Sequence, residues 1–226
     1  MIKDTEGLIR RLAQNVEPVR PLPNPWIRTA VWLGVSVPYL VVVMIIMTPQ
    51  QHLSAMVSDP RFVIEQISAL LAGLAAAVAA FATIIPGYRR RLLLVPLLPF
   101  VVWFTSLGQG CLQDLARHGI QASLLPHDPL CFLFIVLFGA VPGIAMVVML
   151  RRGAPLTPRL TAAIAGLAAA GIGNFALRLV HPEDVSVMML VWHVGGVFIL
   201  SVLAGGAGHY VFNWRLLTAP SRNSAQ

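Results

Sequence analysis

The stretch Leu130–Leu150 reads LCFLFIVLFGAVPGIAMVVML and carries no charged residue. A helix needs about 20 mostly apolar residues to cross the hydrocarbon core of a bilayer, and this run has that length. Backbone polar groups surrounded by lipid must find partners within their own segment, so the run is predicted to be a helix. Other long apolar runs precede and follow it, separated by short polar connections. The six runs are 29–47, 63–85, 92–107, 130–150, 160–180 and 187–212.

The composition of the chain indicates the same class. Of the 226 residues, 57% are hydrophobic and only 11% are charged, whereas a soluble domain has about 25% charged residues. There are too few polar side chains to cover a water-soluble globule. We therefore predict an all-α polytopic membrane protein with six transmembrane helices. It comprises an N-terminal arm at 1–28, a six-helix domain at 29–212 and a C-terminal tail at 213–226.

The distribution of positive charge predicts the orientation. Of the 16 Lys and Arg residues, all except Arg61, Arg117 and Arg178 fall on the side that holds both termini. Because positive residues favour the cytoplasmic side, both termini are predicted to be cytoplasmic. The opposite side would then face the periplasm of a bacterial inner membrane. The basic residues cluster at helix ends without forming a continuous stripe, which argues against direct nucleic-acid binding.

The chain shows none of the common catalytic patterns. It has no nucleophile with an adjacent base, no Gly-rich phosphate loop and no His-Glu-x-x-His helix, so we predict no enzyme activity and no cofactor. The deep polar candidates are Asn174, His193 and His209, interpreted as packing or interfacial residues. The absence of charged side chains among them disfavours an ion-coupled transporter. The second and fifth runs are rich in Ala and Gly, which predicts close helix packing.

The two cysteines are the sharpest chemical candidates. Cys111 follows the third run and Cys131 opens the fourth, so both are predicted to lie at the periplasmic face, joined by one loop. One interpretation is that they are small buried residues. A second is a redox pair, because the periplasm permits disulfides and closing such a loop stabilises a fold by roughly 3 kcal/mol. A third is a metal site. It would be completed by His118, His127, Asp128 and His181.

The N-terminal arm holds the candidate partner-binding residues. These are Leu8, Ile9, Arg10, Arg11, Leu12, Val16 and Arg20. The apolar members recur at helical spacing, which predicts an amphipathic helix with one apolar stripe. A Pro-rich segment at 17–25 then ends the helix, because proline removes a donor and clashes with the preceding turn. The stripe suits either docking into the groove of a partner protein or lying on the lipid surface.

Short motifs along the chain carry a family resemblance. They are LIRRLA at 8–13, VRPL at 19–22, LRRGAPLTP at 150–158, and HPED at 181–184 with Trp192 soon after. Each motif is short, but their order and spacing together resemble the NrsF family of bacterial membrane anti-sigma factors. The resemblance covers nearly the whole chain.

The resemblance implies a six-helix protein that sequesters an extracytoplasmic-function sigma factor at the inner membrane. It also implies release of that factor when periplasmic cysteines meet an oxidant or a metal ion. Cys131 matches the family's cysteine at the start of the fourth helix. The family often has a cysteine directly before the Pro-Glu-Asp stretch, where this chain has His181, so Cys111 is the candidate replacement. The alternative function is a small-molecule transporter or channel of the inner membrane, which would need a polar path through the bundle.

Overall fold

The computed structural model describes residues 2–14, 22–47, 56–119, 130–153, 155–180 and 190–212. Within these ranges the regular secondary structure is helical. The α-helices are α1 (Ile2–Gln14), α2 (Pro25–Met47), α3 (Pro60–Ala82), α4 (Leu97–His118), α5 (Leu130–Leu150), α6 (Pro158–Arg178) and α7 (Gly195–Val211). A 3₁₀ helix at Arg90–Leu94 precedes α4, and a π-helical turn at Leu190–Val194 leads into α7.

Six helical stretches in this part of the chain are long and apolar enough to cross a membrane. They are Pro25–Ile46, Pro60–Ala82, Arg90–Arg117, Leu133–Leu150, Pro158–Arg178 and Trp192–Val211. The predicted all-α class and the six apolar helices are therefore confirmed. The orientation of the two ends stays a prediction.

The third helix differs from its predicted position, and the difference moves a candidate residue. The third run was expected at 92–107, with Cys111 following it in a connection. Instead α4 begins after Pro96 and continues to His118, so the helix extends beyond the predicted end at 107 and Cys111 lies inside it. Proline is tolerated at a helix start because the first N–H groups lack intrahelical partners. Gly119, at φ 68°, ends the helix, since glycine adopts this conformation without strain.

Helix α6 lies at the centre of the bundle. It packs against α3, α5 and α7, while α2 packs on α5 and α3, and α4 packs mainly on α3. Glycines allow the closest approaches: a Cβ on Gly171 would lie 3.1 Å from the Cα of Gly73, and one on Gly173 would lie 2.9 Å from the backbone N of Gly139. The small residues of α3 and α6 are thus packing faces, as predicted, because helices in lipid associate through close backbone contact.

Contacts between helix termini show which termini share an end of the bundle. The Arg28 side chain donates to the carbonyl oxygen of Met149, and Nε of Arg151 donates to the carbonyl oxygen of Val211 at 3.1 Å. The start of α2 and the ends of α5 and α7 therefore lie together. We call this the arginine-rich end. Its described arginines are Arg28, Arg89, Arg90, Arg91, Arg151, Arg152 and Arg159.

The opposite end holds the start of α3 and the end of α4, because the Arg61 and Gln113 side chains meet there. The three arginines set apart in the sequence, Arg61, Arg117 and Arg178, belong to this end by their places on α3, α4 and α6. The structure thus separates the described arginines of the bundle, those of α1 aside, into the two groups that the charge pattern predicted.

Candidate functional site

The predicted apolar stripe of helix α1 is exposed in the structure. Leu8, Ile9 and Leu12 are 57%, 60% and 62% exposed, and all side chains from Thr5 to Gln14, those of Arg10 and Arg11 included, are exposed. The helix places Leu8 and Leu12 one turn apart on one face. Val16 and Arg20, the other two candidates, lie outside the described residues. The stripe is therefore an apolar surface that the described bundle does not bury.

A small apolar cluster joins α3, α4, α6 and α7 in the half of the bundle toward the opposite end. It consists of Ala69, Trp103, Leu107, Ala170 and Val197. Buried polar side chains lie one helical turn closer to the opposite end than this cluster. Each is three or four residues from Ala69, Ala170 or Val197 along the chain. These are Glu65, Gln66, Asn174 and His193, between 3% and 6% exposed. We call them the polar layer, and they place polar groups from three helices at one depth of the bundle.

Nε2 of Gln66 and Oδ1 of Asn174, which both belong to the polar layer, are buried without a hydrogen-bond partner. One is a donor and the other an acceptor. Leaving a buried polar atom unsatisfied costs about 1–3 kcal/mol. The two unsatisfied atoms therefore make the burial of these side chains costly where α3 packs on α6.

An ion pair within α3 lies at the opposite end of the bundle and contacts α4 through two further side chains. Nε of Arg61 lies 3.1 Å from Oε1 of Glu65, and the Glu65 side chain is 7% exposed against 32% for Arg61. From α4, the Ser106 hydroxyl reaches Oε1 of Glu65 at 3.5 Å, and the Gln113 Oε1 accepts from Nη1 of Arg61 at 3.5 Å. We call these four side chains the Arg61 bridge. Both contacts to α4 are long for hydrogen bonds, so the bridge holds α4 weakly.

Gly110 is the reason that the Arg61 bridge fits against α4. The guanidinium of Arg61 occupies the space that a side chain at position 110 would need: a Cβ there would overlap Nη2 of Arg61 and lie 2.7 Å from its Nη1. Only glycine leaves this space open. The bridge was not predicted from the sequence, because Arg61 and Gly110 are far apart along the chain. The i, i+4 spacing of Arg61 and Glu65 was its single local signal.

Cys111 is adjacent to Gly110 on α4. It is a free cysteine, half-buried, one residue from the position that Arg61 covers. Position 131 lies in the first turn of α5, but the side chain of Cys131 lies outside what the structure describes, as does His181. The pairing of the cysteines therefore stays a prediction. Among the described residues, no group of three His, Cys, Asp or Glu side chains could hold a metal ion.

Among the arginines described at the arginine-rich end, Arg28 is the buried one. Arg28 is 5% exposed, and its guanidinium lies 4.8 Å from the centroid of the Phe81 ring while donating to the Met149 carbonyl oxygen. That carbonyl belongs to the last turn of α5, which carries partial negative charge. Arg28 therefore links α2, α3 and α5. From the sequence, Arg28 was counted only among the positive residues that predict the cytoplasmic side.

Comparison with known proteins gives one finding. A sequence model of the NrsF family, described as negative regulator of sigma F, matches residues 12–214 of the chain. The match includes all six apolar helices and both cysteines, and it begins within α1. No curated protein and no solved structure matches the chain.

Proposed function

Because the chain belongs to the NrsF family of negative regulators of sigma F, we propose that it is a membrane anti-sigma factor. It would sequester an extracytoplasmic-function sigma factor at a bacterial inner membrane and release it on periplasmic oxidative or metal stress. The observation that carries the proposal is the family match over residues 12–214. The six helices of membrane-spanning length supply the anchor that this role needs.

The sorting of charge supports the orientation that the proposal requires. The arginine-rich end holds Arg28, Arg89–91, Arg151, Arg152 and Arg159, and the opposite end holds Glu65 and Asp59. Positive residues favour the cytoplasmic side, so α1 and both termini would face the cytoplasm, where a sigma factor is found. Cys111 and position 131 would then face the periplasm.

The exposed stripe of α1 supports a docking role. Leu8, Ile9 and Leu12 together offer one apolar face, and the arginines beside them add positive charge. Fully burying a Leu or Ile side chain in a partner contributes about 1.5–3 kcal/mol. An amphipathic helix that enters an apolar groove is a common recognition mode. We propose that this helix docks on the sigma factor, with Val16 and Arg20 extending the contact.

The position of Cys111 supports a link between thiol chemistry and helix packing. If Cys111 and Cys131 form a disulfide, an oxidant removes two electrons and the two thiols lose two protons. The new bond would pull α4 toward α5, away from the weak Arg61 bridge that holds it to α3. A signal changes a protein only through different affinity for two arrangements. In this proposal the arrangements differ in whether α4 packs on α3, and metal ligation with His181 would act on the same equilibrium.

Co-purification of a sigma factor with the full-length protein tests the proposal. The double variant Leu8→Asp with Leu12→Asp should lose the complex, because it places two charges on the stripe. Leu156→Asp is the matched control, since Leu156 is 76% exposed at the arginine-rich end of the bundle and lies outside α1. A complex that survives the double variant removes α1 from the mechanism. Absence of any sigma factor from the purified wild type refutes the anti-sigma role itself.

A further inference from the structure

A groove of about 530 Å³ lies between α5, α6 and α7. Helix α6 forms its floor, because α5 and α7 both pack on α6 and hardly touch each other. Ile144 and Val148 line it and are 64% and 51% exposed, so the groove opens at the outer surface of the bundle. Small residues make it deep. They include Gly139, Gly143, Ala165, Gly166, Ala169 and Ala204.

One charged side chain lines this groove. Arg151 stands at the arginine-rich end, where its Nε donates to the Val211 carbonyl oxygen at 3.1 Å and so bridges the ends of α5 and α7. The Arg61–Glu65 ion pair lies at the other end of the bundle, and the described contact of the Arg151 side chain is with a carbonyl oxygen rather than with a carboxylate. The charge of Arg151, with Arg152 next to it, therefore lacks a carboxylate in the described structure.

The groove thus combines an apolar channel with a positive charge at one mouth. Apolar cavities bind water poorly but do bind apolar molecules. An empty groove is unfavourable, because the atoms that line it lack dispersion contacts on one side. Basic pockets between transmembrane helices on the cytoplasmic side bind anionic lipid head groups. The larger groove between α3 and α4, of about 640 Å³, has no charged residue in its lining, so charge distinguishes the two.

We propose that the groove between α5, α6 and α7 holds an acyl chain of an anionic phospholipid, whose phosphate pairs with Arg151. The occupant is a lipid rather than a free anion, because the lining is almost wholly apolar below Arg151. The proposal rests on the membrane placement given above and not on sigma-factor binding. The lipid would fill the space between α5 and α7 and keep both helices packed on α6.

Lipid retention by the full-length protein tests this site. The protein is reconstituted with equal amounts of phosphatidylglycerol and phosphatidylcholine and extracted in mild detergent, and the retained lipid is measured by native mass spectrometry. Phosphatidylglycerol should be enriched. Arg151→Gln should lower the enrichment about fivefold, which is the loss expected when the basic residue that pairs with the lipid phosphate is removed. Gly143→Leu should lower retained lipid of both kinds, because its Cβ meets only the Ala169 Cβ, at 3.7 Å, and the side chain fills the groove.

Two control variants test whether the effects are specific to Arg151 and to the groove. Arg152→Gln removes a neighbouring arginine that does not line the groove, and Gly34→Leu adds the same side chain at a glycine with open space on α2. Both should retain lipid as the wild type does. An equal loss of selectivity in Arg152→Gln overturns the assignment to Arg151, and unchanged retention in Gly143→Leu overturns the groove.

Other occupants give different results. Displacement of the lipid by excess inorganic phosphate would mean that the site binds a free anion. A dimer that Gly143→Leu abolishes would mean that a second copy of the chain fills the groove. Either result refutes the lipid proposal. Sigma-factor co-purification is measured on the same variants, and its outcome does not alter the lipid result, so the two proposals fail separately.

Discussion

Replacing Gly110 by alanine should destabilise the protein, although alanine normally stabilises a helix interior. The added Cβ would overlap the Arg61 guanidinium, lying only 2.7 Å even from its Nη1, so the Arg61 side chain must leave its place against α4. It then loses its contact with Gln113 and its alignment with Glu65. Gly108 lies on the same helix, and a Cβ added there would have nothing within 4 Å, which makes Gly108→Ala the matched control.

The size of the effect follows from burial. Exposed ion pairs contribute about 0–1 kcal/mol, and removing one partner of a fully buried pair costs about 3–5 kcal/mol. The Arg61–Glu65 pair lies between these cases, with side chains 32% and 7% exposed, so its loss should cost about 2 kcal/mol. Replacing glycine by alanine in a helix interior stabilises the helix by about 1 kcal/mol, which offsets part of this loss. Gly110→Ala should therefore destabilise by about 1 kcal/mol and Gly108→Ala stabilise by about 1 kcal/mol.

The free energy of unfolding is measured on purified protein in mixed micelles, by titration with a denaturing detergent and tryptophan fluorescence. Trp103, on α4, contributes to the signal. Both alanine variants are then repeated in an Arg61→Ala background, as a double-mutant cycle. There the two should stabilise equally, because nothing is left for the Cβ at position 110 to displace. If Gly110→Ala stabilises the protein that retains Arg61 as much as Gly108→Ala does, the Arg61 bridge does not contribute as described.

Three further substitutions have defined outcomes. Cys131→Ser should leave sigma-dependent transcription unchanged by oxidant in a reporter strain, and a normal response would count against the thiol mechanism. Trp32→Phe should lower the free energy of unfolding by at least about 1–3 kcal/mol, because it removes the buried bond from Nε1 to the Pro142 carbonyl oxygen at 2.8 Å and because the smaller ring leaves part of a fully buried site unfilled; an unchanged unfolding curve would contradict this. Asn174→Leu should be neutral or stabilising in the same assay, because Oδ1 has no hydrogen-bond partner to lose, whereas a loss above about 1 kcal/mol would show that this side chain holds helices together.

The candidate site shows where sequence reasoning reached its limit. The apolar stripe of α1 was predicted correctly, because helical spacing is local and the structure leaves Leu8 and Leu12 exposed. The end of the third helix was predicted incorrectly, because hydropathy falls after Leu107 while the helix continues past Cys111 to His118. Polar residues such as Gln109 and Gln113 end an apolar run but do not end a helix. The glycine at position 119 does that, and its role was not recognised.

The polar layer and the Arg61 bridge could not be found from the sequence. Gln66, Asn174 and His193 come from different helices, and only antiparallel packing brings them to one depth. Glu65 was counted as one of several acidic residues on its side of the membrane. Its burial beside Ser106 results from the packing of α4 on α3. The residues near Glu65 in the sequence do not indicate that packing.

The sequence by itself determined the class of the molecule, because apolar length and the need to satisfy backbone groups in lipid act within each segment. It also determined how the arginines divide between the two ends. Each apolar run takes the chain from one side to the other, so successive connections lie on opposite sides. Only the tertiary structure decided which helices touch, where the groove beside Arg151 opens, and why position 110 is glycine. Those features depend on contacts between residues distant in the chain, whose energies are set by shape and burial rather than by residue type alone.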